Sequence, residues 1–254
     1  MKQRLISLVT TPRVWCALAL GLAAGVAHAD FDGSFAYGWS MSYSLQHATT
    51  WGCKHVPDTC ALPGHGQGAQ SSPRARAAPA PRGSSFASLD TGKALSNTRG
   101  VEQLAATFPA QNRQEATQTF TALILEFNKL IPRTYGIPAN NMATAYAAIL
   151  AGGYAAYTNK PFPEEAVKAL YRQAEQSMLN RPNVARLSMD DKNTQYQIWV
   201  GTAAFMLGWQ SNLAKKPNPE QEARMKKTGA EILHSLGVDP DKVRFTRRGM
   251  EFDD

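Results

Sequence analysis

From Asn140 to Tyr157 the chain reads NNMATAYAAILAGGYAAY, and this stretch decides the fold. Its body, Met142 to Tyr157, carries no charged residue, and Tyr146, Ile149, Leu150, Gly153, Tyr154 and Tyr157 spread apolar bulk around every side of a helix. A helix of that kind is buried on most of its circumference. Asn140 and Asn141 stand where a side-chain oxygen can take the first free backbone N–H groups of the helix. Ala148, Gly152 and Ala156 recur every four residues, so the spacing predicts a partner helix packed close against that stripe, within the same domain.

Downstream, a second long helix starts near Asp190 or Asp191 and runs through Tyr196, Trp199, Thr202, Phe205, Met206 and Trp209. Gly201, Ala204 and Gly208 give it a small face expected to receive the other buried helix. Between the two, Pro163 with Glu164 and Glu165 suits a helix N-terminus, and Ala166, Leu170 and Ala174 form its inward stripe before Asn180 to Pro182 interrupt it. Upstream, Val101 to Thr107 reads as a short helix. A longer one beyond Pro109 carries Ala116, Phe120, Leu123, Ile124 and Phe127 on one face and ends near Lys129, with Ile131-Pro132 closing it. Pro217 and Pro219 precede a last amphipathic helix with Ala223, Met225, Ile232, Leu233 and Leu236, stopped by Gly237. Val243 and Phe245 are placed to dock on the core while Arg247 and Arg248 face water. The expected fold is all-α, a compact bundle of about six helices, one of them short.

The intervals from Thr134 to Asn159 and from Asn193 to Ala214 lack charge and are long enough to raise a membrane-spanning reading. Their polar content argues against it. Pro138, Asn140, Asn141, Thr144 and Asn159 divide the first, and Asn193, Thr194, Gln195, Gln197, Gln210, Ser211 and Asn212 load the ends of the second.

The N-terminal third has another character. Lys2, Arg4 and Arg13 precede an apolar run from Val14 to Val26, and Ala27-His28-Ala29 follows as a signal-peptidase pattern, so residues 1–29 read as a signal peptide and the product as periplasmic or secreted. Removing them takes away three basic residues and no acidic one, lowering the formal charge from +7 to +4. Scattered charge of that size singles out no nucleic acid and leaves peripheral membrane contact open. Residues 30–60 form an arm. In it Phe35, Tyr37, Trp39, Met41, Tyr43 and Leu45 alternate with small residues, placing six bulky side chains on one face of an extended strand. That face either covers the core or pairs with an envelope protein or another copy. Cys53 and Cys60, an even pair in an exported chain, are expected to form a local disulfide; with His47, His55 and His65 they match no common zinc spacing. Residues 61–85, rich in Gly, Pro and Ala with Arg74, Arg76 and Arg82, read as a linker, and 86–254 as the helical domain.

A search for chemistry finds no Gly-x-Ser-x-Gly elbow, no phosphate-binding loop and no His-Glu-x-x-His helix. Glu126 stands alone, Glu164 and Glu165 diverge on a helix, and Asp190 and Asp191 suit a helix start. His234 is the only histidine of the helical domain and reads as a surface residue. No catalytic residue, metal ligand or cofactor is assigned. If the two buried helices converge, Asn140, Asn141, Tyr146, Tyr154, Gln195 and Trp199 make the best set for holding a small polar ligand, with capping and core packing as the competing roles for the same residues.

The run Asn140 to Ala148, followed by Gly153-Tyr154 and Tyr157, resembles an exported bacterial family of domains of unknown function, family 6683. The resemblance covers roughly Gly100 to Met250, including Leu187-Ser188, Gln195, Gly237-Val238 and Arg247 to Gly249. The arm and linker lie outside it. It implies the helical architecture and no catalytic or ligand residue. The expected function is an exported binding or envelope-associated structural protein, self-associating or engaging an envelope partner through the arm; the alternative is an enzyme of unassigned type with its site between the central helices.

Overall fold

Helix α3, Met142–Thr158, is the axis of the domain: thirteen of its residues are buried, on every side. It belongs to a computed structural model that describes residues 89–253 apart from 180–183 and 185. Around it lie α1 (Arg99–Ala106), α2 (Arg113–Tyr135), α4 (Val167–Leu179), α5 (Met189–Lys215) and α6 (Pro219–Ser235), followed by an antiparallel hairpin of β1 (Val243–Thr246) and β2 (Gly249–Phe252). The expected all-α bundle of six helices, one short, is the observed architecture among the described residues. No helix among them is long and apolar enough to cross a membrane.

The close approach expected on the α3 stripe is to α5, with which α3 makes its most extensive contact. A Cβ on Gly152 would lie 2.8 Å from the Ala203 Cα, so only glycine admits the α5 backbone there. The small face of α5 behaves differently from expectation. Gly201 receives Leu104 of α1 and the Phe120 and Ile124 side chains of α2 rather than α3, while Gly208 has open space beside it. Helix α5 is enclosed from several sides, and the side facing α3 is the one that carries Ala203.

Several boundaries follow the sequence signals closely. The Asn141 side chain accepts from the Ala143 and Thr144 N–H groups at 2.9 and 3.4 Å, Ser188 caps α5 through Asp191 N, and Asn218 caps α6 ahead of Pro219. Gly237, at φ 77°, follows the end of α6, where Val238 N returns to Leu233 O at 2.9 Å. The end of α2 does not. The helix runs through Pro132 to Tyr135, because carrying on buries Ile131 and Tyr135, and the stop falls at Gly136 in the left-handed region, φ 65°. Burial of two large side chains outweighs the one backbone bond that a proline near a helix end forfeits. Ahead of α4, Pro163 leads into a 3₁₀ turn, Glu164–Ala166, rather than directly into the helix.

The C-terminal segment docks as expected, with Val243 and Phe245 buried and Arg247 and Arg248 exposed, but as a hairpin. Asp253 N donates to Lys242 O at 2.8 Å, which makes Arg244–Glu251 and Thr246–Gly249 the hydrogen-bonded pairs of the ladder. The N–H and C=O of Met250 therefore point out of the sheet, and the Gln173 amide of α4 meets both. Met250 N donates to Gln173 Oε1 at 2.7 Å, and Gln173 Nε2 donates to Met250 O at 3.2 Å. One side chain thus stands in for a third strand. Phe245 packs edge-on to Tyr154 and Phe162 with ring centroids 4.7 and 5.0 Å away, sealing the hairpin to α3.

The expected Cys53–Cys60 disulfide is withdrawn, since no two of the chain's three cysteines are at disulfide distance. A six-residue gap makes closure cheap but does not bring two Cβ atoms to the roughly 3.8 Å that a bridge requires. These cysteines, the signal peptide, the linker and the arm residues Phe35, Tyr37, Trp39 and Tyr43 lie outside the described residues.

Candidate functional site

The six positions proposed as a ligand set separate into three groups. Asn141 is a helix cap, and Asn140 is a backbone hinge at φ 53° whose carbonyl accepts from Thr91 N and whose N–H donates to Tyr196 Oη at 3.2 Å. The Asn140 side chain accepts from Asn128 Nδ2 at 3.1 Å, and Tyr196 Oη donates to Asn128 Oδ1. These groups hold α2, α3 and α5 together and are already engaged. Tyr154 belongs to the aromatic seal under the hairpin. Of the other three, the Tyr146 and Trp199 rings stand edge to face at 5.4 Å, and Gln195 lies one helical turn before Trp199. Gln195 is 4% exposed, and among the described residues neither its Oε1 nor its Nε2 has a hydrogen-bond partner.

Sequence reasoning missed a second polar group on α5. Asn193 and Gln197 are fully buried and bind the segment that leads into the domain. Asn193 Nδ2 donates to Thr91 O and Lys93 O, each at 3.0 Å; Gln197 Nε2 donates to Asn97 O at 2.7 Å and Asn193 Oδ1 at 2.6 Å, while its Oε1 accepts from Val101 N at 3.1 Å. Leu89 O accepts from Met142 N, so the same segment also closes over the start of α3. Lys192, in the first turn of α5, is buried beside it. Burial holds its ammonium below the usual lysine range, and the Asp90 carboxylate pulls the other way.

Space for an external group exists elsewhere, in an apolar cleft where α2, α3, α4 and α5 meet. It encloses about 400 Å³ of empty space, its open mouth included, between Phe127 and Ile131 of α2, Ala147 and Ala151 of α3, Leu170 of α4 and Leu207 of α5. Thr144 and Tyr171 bring the only side-chain polar groups to its lining, and both are engaged. Thr144 Oγ1 donates to Pro138 O at 2.7 Å, and Tyr171 Oη donates to Glu175 Oε1 at 2.6 Å. Such walls offer contact and desolvation, with no group placed to attack a bond or relay a proton. Among the described residues no three His, Cys, Asp or Glu side chains gather to hold a metal ion. His234 is exposed, and Asp191 Oδ2 accepts from the Ser188 hydroxyl at the cap of α5.

Three tyrosines carry the clearest electrostatic signature. Burial raises the phenols of Tyr171 and Tyr196 above the ordinary value near 10, reinforced at Tyr171 by Glu175, and the bond to Asp241 followed by burial raises Tyr157. A phenol whose folded pKa exceeds its unfolded one favours folding in full below pH 10, and that contribution disappears as the pH climbs toward the folded value. Stability is therefore expected to fall from about pH 10 upward, with tyrosinate absorbance rising in step with the loss of helical circular dichroism. Complete ionisation of all eight tyrosines with the helical signal intact contradicts this.

The fold and its contents define a class: a small helical domain closed by a C-terminal hairpin, with an apolar cleft and no assembled catalytic constellation among the described residues. Within that class the chain belongs to the family of unknown function DUF6683, whose model matches residues 10–253. The match reaches well beyond the Gly100–Met250 span of the resemblance and takes in the arm and linker. Neither curated proteins nor solved structures give a significant match.

Proposed function

We propose that this chain is an exported, non-catalytic binding protein of the cell envelope, and that its cleft takes up apolar side chains of its own segment Phe35–Leu45. The carrying observation is the cleft itself, apolar on all four helices and with both of its hydroxyls already bonded. Export follows from the Lys2 to Ala29 pattern. The choice of occupant has three supports. The alternation of Phe35, Tyr37, Trp39, Met41, Tyr43 and Leu45 with small residues would gather six bulky side chains on one face of an extended segment, and such a face is costly to leave in water. The chain enters the described domain at Leu89 on the first residue of α3, and the cleft-lining Thr144 to Ala151 follow within about 14 Å along that helix. A flexible coil of the length between Leu45 and Leu89 would have ends roughly 35 Å apart, enough to reach the cleft and to give an effective concentration of the order of millimolar. One family model spanning both arm and domain agrees with their working as a unit.

The test is binding of the apolar fluorophore 1-N-phenylnaphthylamine by the full chain. Phe35→Ser, Tyr37→Ser, Trp39→Ser and Tyr43→Ser together are expected to raise probe affinity at least about tenfold by vacating the cleft, and adding Ala151→Phe is expected to abolish it. Equal affinity with and without the arm side chains rejects the arm as occupant while leaving the cleft as a binding site. Binding that ignores Ala151→Phe rejects the cleft. A concentration-dependent dimer that disappears with the four arm substitutions assigns the occupant to a second copy instead.

A further inference from the structure

Gln195, Trp199 and Thr202 follow one another at i, i+4 and i+7 on α5, so their side chains leave the helix on one face. They are 4%, 1% and 1% exposed, and Gln195 Oε1 and Nε2, Trp199 Nε1 and Thr202 Oγ1 have no hydrogen-bond partner among the described residues. On the same helix Asn193 and Gln197, equally buried, have every side-chain polar atom bonded. Buried polar atoms are rarely left dry, and four on a single face concentrate a penalty that native domains avoid.

We infer that this face is an internal hydration site, in which ordered water bridges the Gln195 amide, the Trp199 indole N–H and the Thr202 hydroxyl. The chemistry matches the donor count. An amide with both ends open, a donor-only indole and a hydroxyl that adapts to either role together offer the two to four contacts that hold a buried water. Along the helix axis Gln195 and Trp199 are about 6 Å apart and Trp199 and Thr202 about 4.5 Å, spacings that long and short side chains close onto one or two waters. Tyr146 on α3 packs its ring against Trp199 and walls the site on that side. An ion fits poorly, because no charged group belongs to the row. The site is independent of the cleft reading, since none of its three residues lines the cleft.

Water-selective magnetisation transfer on the isotope-labelled full chain tests it directly. The Trp199 indole proton and the Gln195 side-chain amide protons are expected to show dipolar cross-peaks to long-lived water, and their absence overturns the assignment. Gln195→Met gives the second reading. With water in place the substitution strands the indole and hydroxyl partners and lowers Tm, by roughly 2–4 °C or more for a domain of this size. A rise in Tm instead means that the amide was dry, which also overturns it. Should Gln195→Met fail to fold, the cross-peaks in the unsubstituted protein still decide.

Discussion

Gly229→Ala is expected to destabilise the domain by about 3 kcal/mol, although alanine in place of a helical glycine ordinarily gains up to about 1 kcal/mol. The reason is where α6 crosses α3. A Cβ at residue 229 would sit 2.5 Å from Tyr157 N and 2.6 Å from Gly153 O. Both are backbone atoms of α3, so no side-chain rotation relieves the clash and the helices must move apart. Separation in turn loosens Ile232 and Leu233, which pack on Gly153 from the same helix. Gly208→Ala provides the opposite sign in the same protein: nothing lies within 4 Å of its added Cβ, and a gain of about 0.5–1 kcal/mol is expected. Urea unfolding of both variants checks the pair. A neutral or stabilising Gly229→Ala contradicts this close crossing of α3 and α6.

Features that depend on neighbours in sequence were legible, and those that depend on distant partners were not. The burial of α3 follows from its uncharged run, and the Asn141 cap and the Gly237 stop follow from backbone chemistry confined to a single turn. Pro132 misled because a local rule was overridden by burial of Ile131 and Tyr135 on either side of it. The hairpin was missed because its turn, Arg247-Arg248, carries no Asn-Gly signal, and because its third strand is a single Gln173 amide 77 residues away in sequence. Gln195 and Trp199 share a helix face, as their spacing implies, and the Tyr146 ring on α3 packs against Trp199. Asn140 is claimed by Asn128 and Tyr196, a partnership no spacing rule announces. The cleft draws its walls from four helices, so no one stretch of sequence carries its outline.

The second large effect is expected from Gln197→Leu, at about 3–5 kcal/mol. Leucine nearly matches glutamine in size, so little of the loss comes from packing. What disappears is a three-way junction at a fully buried amide: the Val101 N–H in the first turn of α1, the carbonyl of half-buried Asn97 and the Asn193 side chain all lose their contact at once. An unpaired buried group costs roughly 1–3 kcal/mol, and three at one junction fall short of simple addition because they relax together. The damage should also be local before it is global. Helix α1 is only eight residues long and is tied to α5 through this amide, so Val101 N–H exchange is expected to accelerate more than exchange in α3. Thr117→Ala is the control. Its hydroxyl bonds the Arg113 carbonyl on an exposed face, and its removal is expected to change stability by no more than about 0.5 kcal/mol. If Gln197→Leu behaves like that control, with Val101 protection unchanged, the leading segment is held by apolar contact alone. The Asn193–Gln197 pair then loses its role of fixing that segment to α5.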